Sequence, residues 1–220
     1  MSPHLDDAVF ACGACIAASP KSVVVTVFAG RPEAGASLTA WDAECGFTVD
    51  DDVVAIRRGE DRAALDVLDA RPVWLDFRDA QYGEPRSLQE IGEALAGVIE
   101  CQAKASVYLP LGLFHSDHHR ASDAALALVD RFPTLDWHAY EDAIYRRIPG
   151  AVDARLRVIR DAGFALERCT RSGTPDCESR KRSAVLCYAS QLGALATRPA
   201  HTDVLATEAY WRIAVRAART

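Results

Sequence analysis

The sequence predicts an α/β fold in which a Rossmann-like, mostly parallel sheet carries helices on both faces. Two observations lead to this prediction. Short runs rich in β-branched residues alternate with amphipathic helical patterns along the chain, and 50% of the 220 residues are hydrophobic while 25% are charged, as in ordinary globular proteins. A chain of this length can bury a sizeable core without disulfides. We therefore expect a single domain over residues 1–220.

The predicted elements follow one another in a regular order. An Ala- and Gly-rich apolar helix begins directly after the HLDD stretch at residues 4–7. Buried strands are predicted over residues 21–30, 72–79, 105–111 and 135–140. Amphipathic helices are predicted over residues 52–68, 88–100 and 119–132. In a parallel sheet built this way, functional residues gather where strands end and loops begin.

Composition excludes several classes of protein. The chain has 31 acidic and 25 basic residues and a net charge of −6, which argues against a nucleic-acid partner. It shows no apolar run that could form a transmembrane segment and no secretory signal at its start. The seven cysteines are irregularly spaced, which favours reduced thiols and a cytoplasmic protein. The Cys12–Cys15 pair is interpreted as helix packing rather than as a redox or zinc site.

Three polar clusters at or near predicted strand ends carry the candidate chemistry. His4 and Asp7 are three residues apart before the first helix, Arg78 and Asp79 end the second strand, and three histidines fall within residues 115–119. Each cluster alone has an ordinary structural explanation, such as a helix N-cap. Together they supply a carboxylate and two imidazoles. This set suits a catalytic zinc site, which has three protein ligands and one open position.

Four motifs, in this order, resemble those of the PIG-L/LmbE-like zinc N-deacetylases. They are SPHLDDAVFACG (2–13), RRGE (57–60), FRDAQYGE (77–84) and PLGLFHSDHHRASD (110–123). Weaker matches are YEDAIY (140–145) and CYASQL (187–192). Members of this family remove the acetyl group from N-acetylglucosamine conjugates and related acyl-amino sugars. The resemblance therefore implies a metal-dependent N-deacetylase that acts on a small-molecule amino-sugar conjugate.

The resemblance also implies a metal centre. One Zn²⁺ per chain, or another divalent transition metal in its place, would be bound by His4, Asp7 and His118. Asp6 would be the general base that takes a proton from the attacking water. Zinc polarises an amide carbonyl and lowers the pKa of bound water to about 7, so a carboxylate within reach can accept the proton.

Four further residues receive roles from the same resemblance. His115 would stabilise the oxyanion or protonate the leaving amine, and Asp117 would orient His115 and favour its charged form. Arg57 and Asp79 would hold sugar hydroxyls, the arginine as a fixed fork of donors and the carboxylate as an acceptor. A surface ion pair is the structural alternative for Arg57 and Asp79.

One departure from the family pattern concerns the N-terminus. Family members carry an apolar strand before the first motif, whereas His4 here is only the fourth residue. We therefore expect the domain to lack the usual first strand. Two explanations remain open at this point: the true start lies upstream, or the sheet is built differently. Loss of a central strand would expose sheet edges and reduce the core.

Other functions fit parts of the pattern. The same centre would serve an amidase that acts on a thiol-sugar or lipid-linked conjugate. A non-catalytic metal- or sugar-binding module is a further alternative, although it would have no need of Asp6. A nucleotide-binding protein is disfavoured because the sequence contains neither GxGxxG nor GxxxxGK[ST]. The oligomeric state stays open, a homo-oligomer included.

Overall fold

The computed structural model describes residues 1–84, 86–102, 106–170, 173–197 and 203–215. Within these ranges the helices are α1 (Asp7–Ala17), α2 (Ala40–Glu44), α3 (Val53–Val67), α4 (Leu88–Glu100), α5 (Ser116–Leu126), α6 (Ala151–Asp161), α7 (Pro175–Val185) and α8 (Ala189–Ala196). The strands are β1 (Val23–Thr26), β2 (Arg71–Trp74), β3 (Ser106–Pro110), β4 (Asp136–Tyr140), β5 (Phe164–Cys169) and β6 (Tyr210–Val215). Short 3₁₀ turns occupy Ala80–Tyr82 and Asp203–Leu205. None of these helices is both long and apolar enough to cross a membrane.

The strands form two sheets that lie side by side. β1 and β2 form a parallel pair, and the second sheet has the order β3-β4-β6-β5. β3 and β4 are parallel, whereas β6 runs antiparallel to both β4 and β5. The α/β class is therefore confirmed, and the parallel character is confirmed in part, since the β1-β2 and β3-β4 pairs are parallel and both pairs of β6 are antiparallel. Between β1 and β3, Ser2 forms an isolated parallel bridge with Thr26, and the Met1 ammonium donates to the Tyr108 carbonyl (2.6 Å).

Each strand predicted from the sequence is present, with shorter bounds. The helix predicted from residue 119 begins earlier, at Ser116, because His115 acts as its N-cap and accepts a hydrogen bond from the Asp117 amide. Ala105, the first residue of the predicted third strand, lies outside the described residues. The elements after residue 140 were not predicted.

Two hydrophobic clusters form the core, one on each face of the sheets. Val24 belongs to the cluster with α1, α3 and α7, and Val25 belongs to the cluster with α4, α5 and α6. Successive residues of a strand point to opposite faces, so the two clusters lie on opposite sides of β1. α1 is buried along almost its whole length, which explains its small residues. Cys12 is buried and Cys15 is half-buried within this packing.

Asp61 on α3 makes stability depend on pH. Its carboxylate accepts hydrogen bonds from Trp74 Nε1 (2.7 Å) and the Tyr188 hydroxyl (2.8 Å). Burial outweighs these bonds and raises the pKa of Asp61 to about 6. A carboxyl group whose pKa is higher in the folded state stabilises it below the unfolded pKa, and that contribution disappears as the pH rises through the folded pKa.

We expect the stability of the protein, relative to Asp61→Asn, to fall by about 2–3 kcal/mol between pH 4 and pH 8. Urea unfolding of both proteins at several pH values measures this difference. The comparison with the variant removes the contributions of all other titrating groups. A difference that stays constant across the range would contradict the assigned pKa shift.

Candidate metal centre and substrate cavity

The N-terminal turn before α1 and the start of α5 meet at one point. One donor atom from each of His4, Asp7 and His118 lies within 4.8 Å of the others. The carboxylate oxygen Oδ2 of Asp7 is 3.2 Å from His4 Nδ1 and 3.2 Å from His118 Nε2. The structure thus brings together two imidazoles from distant parts of the sequence and one carboxylate. Nitrogen and oxygen donors in this number suit a divalent metal with an open position.

His118 is held as a metal-binding imidazole would be. The ring is fully buried, and its Nδ1 is hydrogen-bonded to Asp142 Oδ1. The other carboxylate oxygen of Asp142 accepts from the amides of Gly112 (2.9 Å) and Leu113 (3.2 Å). His118 Nε2 is buried without a hydrogen-bond partner among the described residues and faces Asp7. A carboxylate on one ring nitrogen and a free donor on the other are typical of metal-ligating histidines, so the residues present fit a metal.

The electrostatics of the cluster also suit a cation. Burial opposes the charged form of His118, but Asp7 and Asp142 outweigh it and raise its pKa to about 9. Burial likewise opposes the charged form of His4, but Asp79, Asp117 and Asp7 raise its pKa well above the usual value. Burial opposes ionisation of Asp7, yet the two histidines hold its pKa well below the usual range. Metal binding would therefore release protons from His4 and His118, whereas Asp7 is already ionised and needs to lose none.

Asp6 differs from its neighbour Asp7 in its contacts and in the direction of its pKa shift. It precedes α1 without capping it through its side chain, and it is absent from the group of converging donors. Arg57 Nη2 lies 3.9 Å from Asp6 Oδ2. Burial and then Asp7 raise the pKa of Asp6 to about 7, and Arg57 only partly offsets them. A carboxylate whose pKa lies near neutral pH can both accept and return a proton.

A cavity of about 200 Å³ opens beside the metal-binding cluster. Its lining residues are His4, Asp6, Asp7, Trp41, Arg57, Asp79, Gln81, His115, Ile144, Tyr145, Gln191 and Leu195. Arg57 and Asp79 are both buried, so the alternative of a surface ion pair is wrong. Asp79 accepts hydrogen bonds from the backbone amide (3.0 Å) and side-chain amide (3.1 Å) of Gln81. Arg57 Nε is buried without a hydrogen-bond partner among the described residues, which leaves a donor for a ligand.

His115 lies at the cavity, but Asp117 does not orient it as expected. The Asp117 carboxylate accepts from His4 Nε2 (3.2 Å) and from the Ala80 amide (2.9 Å), while only the backbone amide of Asp117 contacts His115, at Nδ1 (3.2 Å). His115 is the N-cap of α5 and Asp117 lies in its first turn, so the His115 ring contacts the Asp117 backbone amide rather than its carboxylate. Burial, followed by the positive charges of His4 and His118, lowers the pKa of His115. The lowered pKa favours the neutral ring, in which Nδ1 accepts from the Asp117 amide and Nε2 carries the proton.

Several residues of the site received no role from the sequence. Asp142 and Tyr145 lie within YEDAIY, and Gln191 lies within CYASQL, so the weaker motif matches were the available signal. Gln191 Oε1 accepts a hydrogen bond from Trp41 Nε1 (3.1 Å), which joins α8 to α2 over the cavity. No motif in the sequence pointed to Trp41, which the fold places in the wall of the cavity.

Comparisons with known proteins agree with the motifs. The family model PIG-L, described as GlcNAc-PI de-N-acetylase, matches residues 1–129. No curated protein sequence matches the chain. A triple mutant of a deacetylase of the teicoplanin biosynthetic pathway is 28% identical, with a TM-score of 0.83 over 99% of this chain and 98% of that chain. The pseudoaglycone deacetylase Dbv21 is 27% identical, with a TM-score of 0.81 over 99% of this chain and 97% of that chain. A zinc-inhibited form of teicoplanin deacetylase is 24% identical, with a TM-score of 0.79 over 99% of this chain and 98% of that chain.

Proposed function

The chain belongs to the PIG-L family of N-deacetylases, and from this premise we propose that it is a zinc-dependent hydrolase that removes an N-acetyl group from an N-acetylglucosamine-type sugar conjugate. The observation that carries the proposal is the convergence of His4, Asp7 and His118, with the unbonded Nε2 of His118, at the wall of a cavity that also holds Asp6. A substrate with another N-acyl group in place of acetyl would present its amide to the same metal-binding residues and to Asp6.

The roles of the residues follow from the obstacles to amide hydrolysis. Zinc bound by His4, Asp7 and His118 would polarise the carbonyl and acidify water. Asp6, with a pKa of about 7, would take the proton of the attacking water and return it to the departing nitrogen. The Nε2–H group of His115 would donate a hydrogen bond to the carbonyl oxygen on which negative charge develops. Such a bond stabilises the transition state by about 3 kcal/mol in comparable sites. Asp117 would act through His4, which it contacts, rather than through His115.

The cavity also supports the sugar as substrate. Its volume of about 200 Å³ lies below the roughly 300–1,000 Å³ of sites for drug-sized ligands, so it suits one ring of a conjugate rather than the whole molecule. Arg57 and Asp79 would bind ring hydroxyls on its polar side. Trp41, Ile144 and Leu195 provide apolar surface for the acyl group or the aglycone. A thiol-sugar or lipid-linked conjugate is the alternative substrate, since it presents the same amide to the same centre.

Mass spectrometry of a panel of N-acetylglucosamine conjugates tests the function. The protein is stripped of metal, reloaded with zinc in steps up to and beyond one equivalent, and incubated with each conjugate. We expect loss of one acetyl group to peak near one equivalent, and stepwise loading shows whether further zinc inhibits the reaction. Binding of the conjugates without any acetate release would favour the non-catalytic sugar-binding module instead. A cytoplasmic location remains a prediction.

Asp79→Ala tests whether Asp79 binds the ring hydroxyls of the sugar. Charge-assisted hydrogen bonds to hydroxyls are worth about 1.5–3 kcal/mol, so kcat/KM for an amino-sugar substrate should fall by about 10–100-fold. Zinc content should stay unchanged, and a simple N-acetyl amide without ring hydroxyls should be hydrolysed as before. Asp76→Ala is the matched control, because the Asp76 side chain is 90% exposed and does not line the cavity. Equal losses on both substrates would show that Asp79 supports the fold or the metal instead.

A further inference from the structure

Phe114 has a backbone conformation that bulky residues rarely adopt. Its φ is 60°, and the His115 amide donates to the Leu113 carbonyl (2.6 Å), which closes a three-residue turn with Phe114 at its centre. A turn of this kind with a positive φ at its central residue is strained, and a large side chain there is an outlier. The strain therefore falls on one residue, directly before the N-cap of α5.

Glycine relieves such strain, and the same loop uses it two residues earlier. Gly112 has a φ of 86°, and a Cβ there would lie 2.7 Å from the Ser122 Cβ, so the conformation and the space both require glycine. At position 114 the conformation alone favours glycine, yet the chain carries a phenylalanine that is 66% exposed. An exposed ring contributes little burial to offset the strain, so its position indicates a contact with a ligand.

The Phe114 ring extends an apolar wall of the cavity beside the metal-binding cluster. It packs against the Tyr145 ring with the two centroids 5.3 Å apart, and both Tyr145 and Ile144 line the cavity. The neighbouring His115, the proposed donor to the oxyanion, lines it as well. Phe114 itself is not a lining residue, so its ring lies at the mouth of the cavity.

The size of the cavity determines which part of a substrate reaches this ring. A volume of about 200 Å³ suits one sugar ring, so the group attached to that sugar, the aglycone, must lie outside, at the mouth. There Phe114 presents an exposed aromatic face without a hydrogen-bond donor or acceptor. Such a face binds apolar groups through burial and stacking.

We propose that Phe114 binds the aglycone, and that the enzyme therefore prefers amino sugars that carry an apolar group over those that carry a small or polar one. The hydrogen-bonded turn before α5 fixes the ring before the substrate arrives, so little conformational freedom is lost on binding. The inference rests on the proposed function and specifies the substrate class of the same site.

Two glycosides of N-acetylglucosamine with the same anomeric configuration test the proposal, one with a phenyl and one with a methyl aglycone. In zinc-loaded Phe114→Ala, the ratio of kcat/KM for the phenyl over the methyl glycoside should fall by about 5–20-fold, mainly through KM. Phe114→Tyr should keep the ratio, because it keeps an aromatic face. Leu186→Ala is the matched control, since Leu186 is also 66% exposed and does not line the cavity.

Phe114→Gly separates the strain from the ring. This variant lacks the ring, as Phe114→Ala does, but adopts a positive φ without a steric clash. Its Tm should therefore exceed that of Phe114→Ala by about 2–6 °C, while the ratio of the two glycosides should be lowered equally in both variants. Equal Tm values would show that the turn is unstrained, and the reason for assigning a ligand to Phe114 would be lost.

An unchanged ratio in the alanine and glycine variants would overturn the proposal. Equal losses on the two glycosides would overturn it too, because Phe114 would then support Tyr145 or His115 rather than contact the aglycone. The ratio is also measured from the dissociation constants of the two glycosides, so the test does not depend on turnover. If both glycosides bind with the expected ratio but neither is deacetylated, the proposed function fails and the binding role of Phe114 stands. If both are deacetylated at an unchanged ratio, the reverse holds.

Discussion

Asp6→Asn should lower kcat by about 10²–10⁴-fold and leave the bound metal in place, as expected for the loss of a general base. The amide that replaces the carboxylate has a similar shape but cannot accept a proton. Asp6 is absent from the group of converging donor atoms, whereas its neighbour Asp7 contacts both histidines of that group. The companion variant Asp7→Ala should therefore lose the metal itself, so the two adjacent aspartates should fail in different ways.

Metal content and single-turnover kinetics on the same preparations separate these effects. Asp61→Asn is the matched control for Asp6→Asn, since Asp61 is also a buried aspartate near Arg57 but hydrogen-bonds to Trp74 and Tyr188 and does not line the cavity. It should keep both zinc and kcat. Equal loss of zinc from the Asp6 and Asp7 variants would show that the roles of the pair are wrongly divided.

The sequence predicted the parts of the fold that local patterns encode. The continuous β-branched run at 21–30 specifies β1 as a strand buried on both faces. The apolar spacing at 88–100 specifies α4 because burial of one helix face repeats with the helical period. The run FALERC at 164–169 has no such period and contains no β-branched residue, so β5 owes its strand conformation to pairing with β6. Tertiary context overrides weak local preference in this way, so β5 could not be foreseen from its own sequence.

In the candidate site, too, the sequence predicted some residues, and tertiary contacts determine the others. The motifs named His4, Asp7 and His118, and the fold brings their donor atoms together. Asp142, which orients His118, is 24 residues away along the chain, and the contact exists because the Gly112 and Leu113 amides hold its carboxylate at the end of β3. Spacing along a sequence carries no information about such a contact.

His118→Ala should abolish metal binding and with it the hydrolytic activity. The substitution removes one of three converging donors, the one whose Nε2 is fully buried and makes no other hydrogen bond among the described residues. Two donors of the N-terminal turn, His4 and Asp7, then remain. The loss in affinity should exceed the about 10–100-fold typical for loss of a supporting partner of a ligand.

Asp142→Asn provides the graded comparison. The asparagine keeps the size of the side chain but replaces the charged partner of His118 Nδ1 by a neutral one, so metal affinity should fall by only about 10–100-fold. Chelator competition gives the two dissociation constants, and circular dichroism confirms that each variant is folded. We expect His118→Ala to lose more metal affinity than Asp142→Asn, because Asp142 acts on the metal through the His118 imidazole that it orients. If His118→Ala retained metal as tightly as Asp142→Asn, His118 would not be a ligand, and the carboxylates around His4 would have to hold the ion without it.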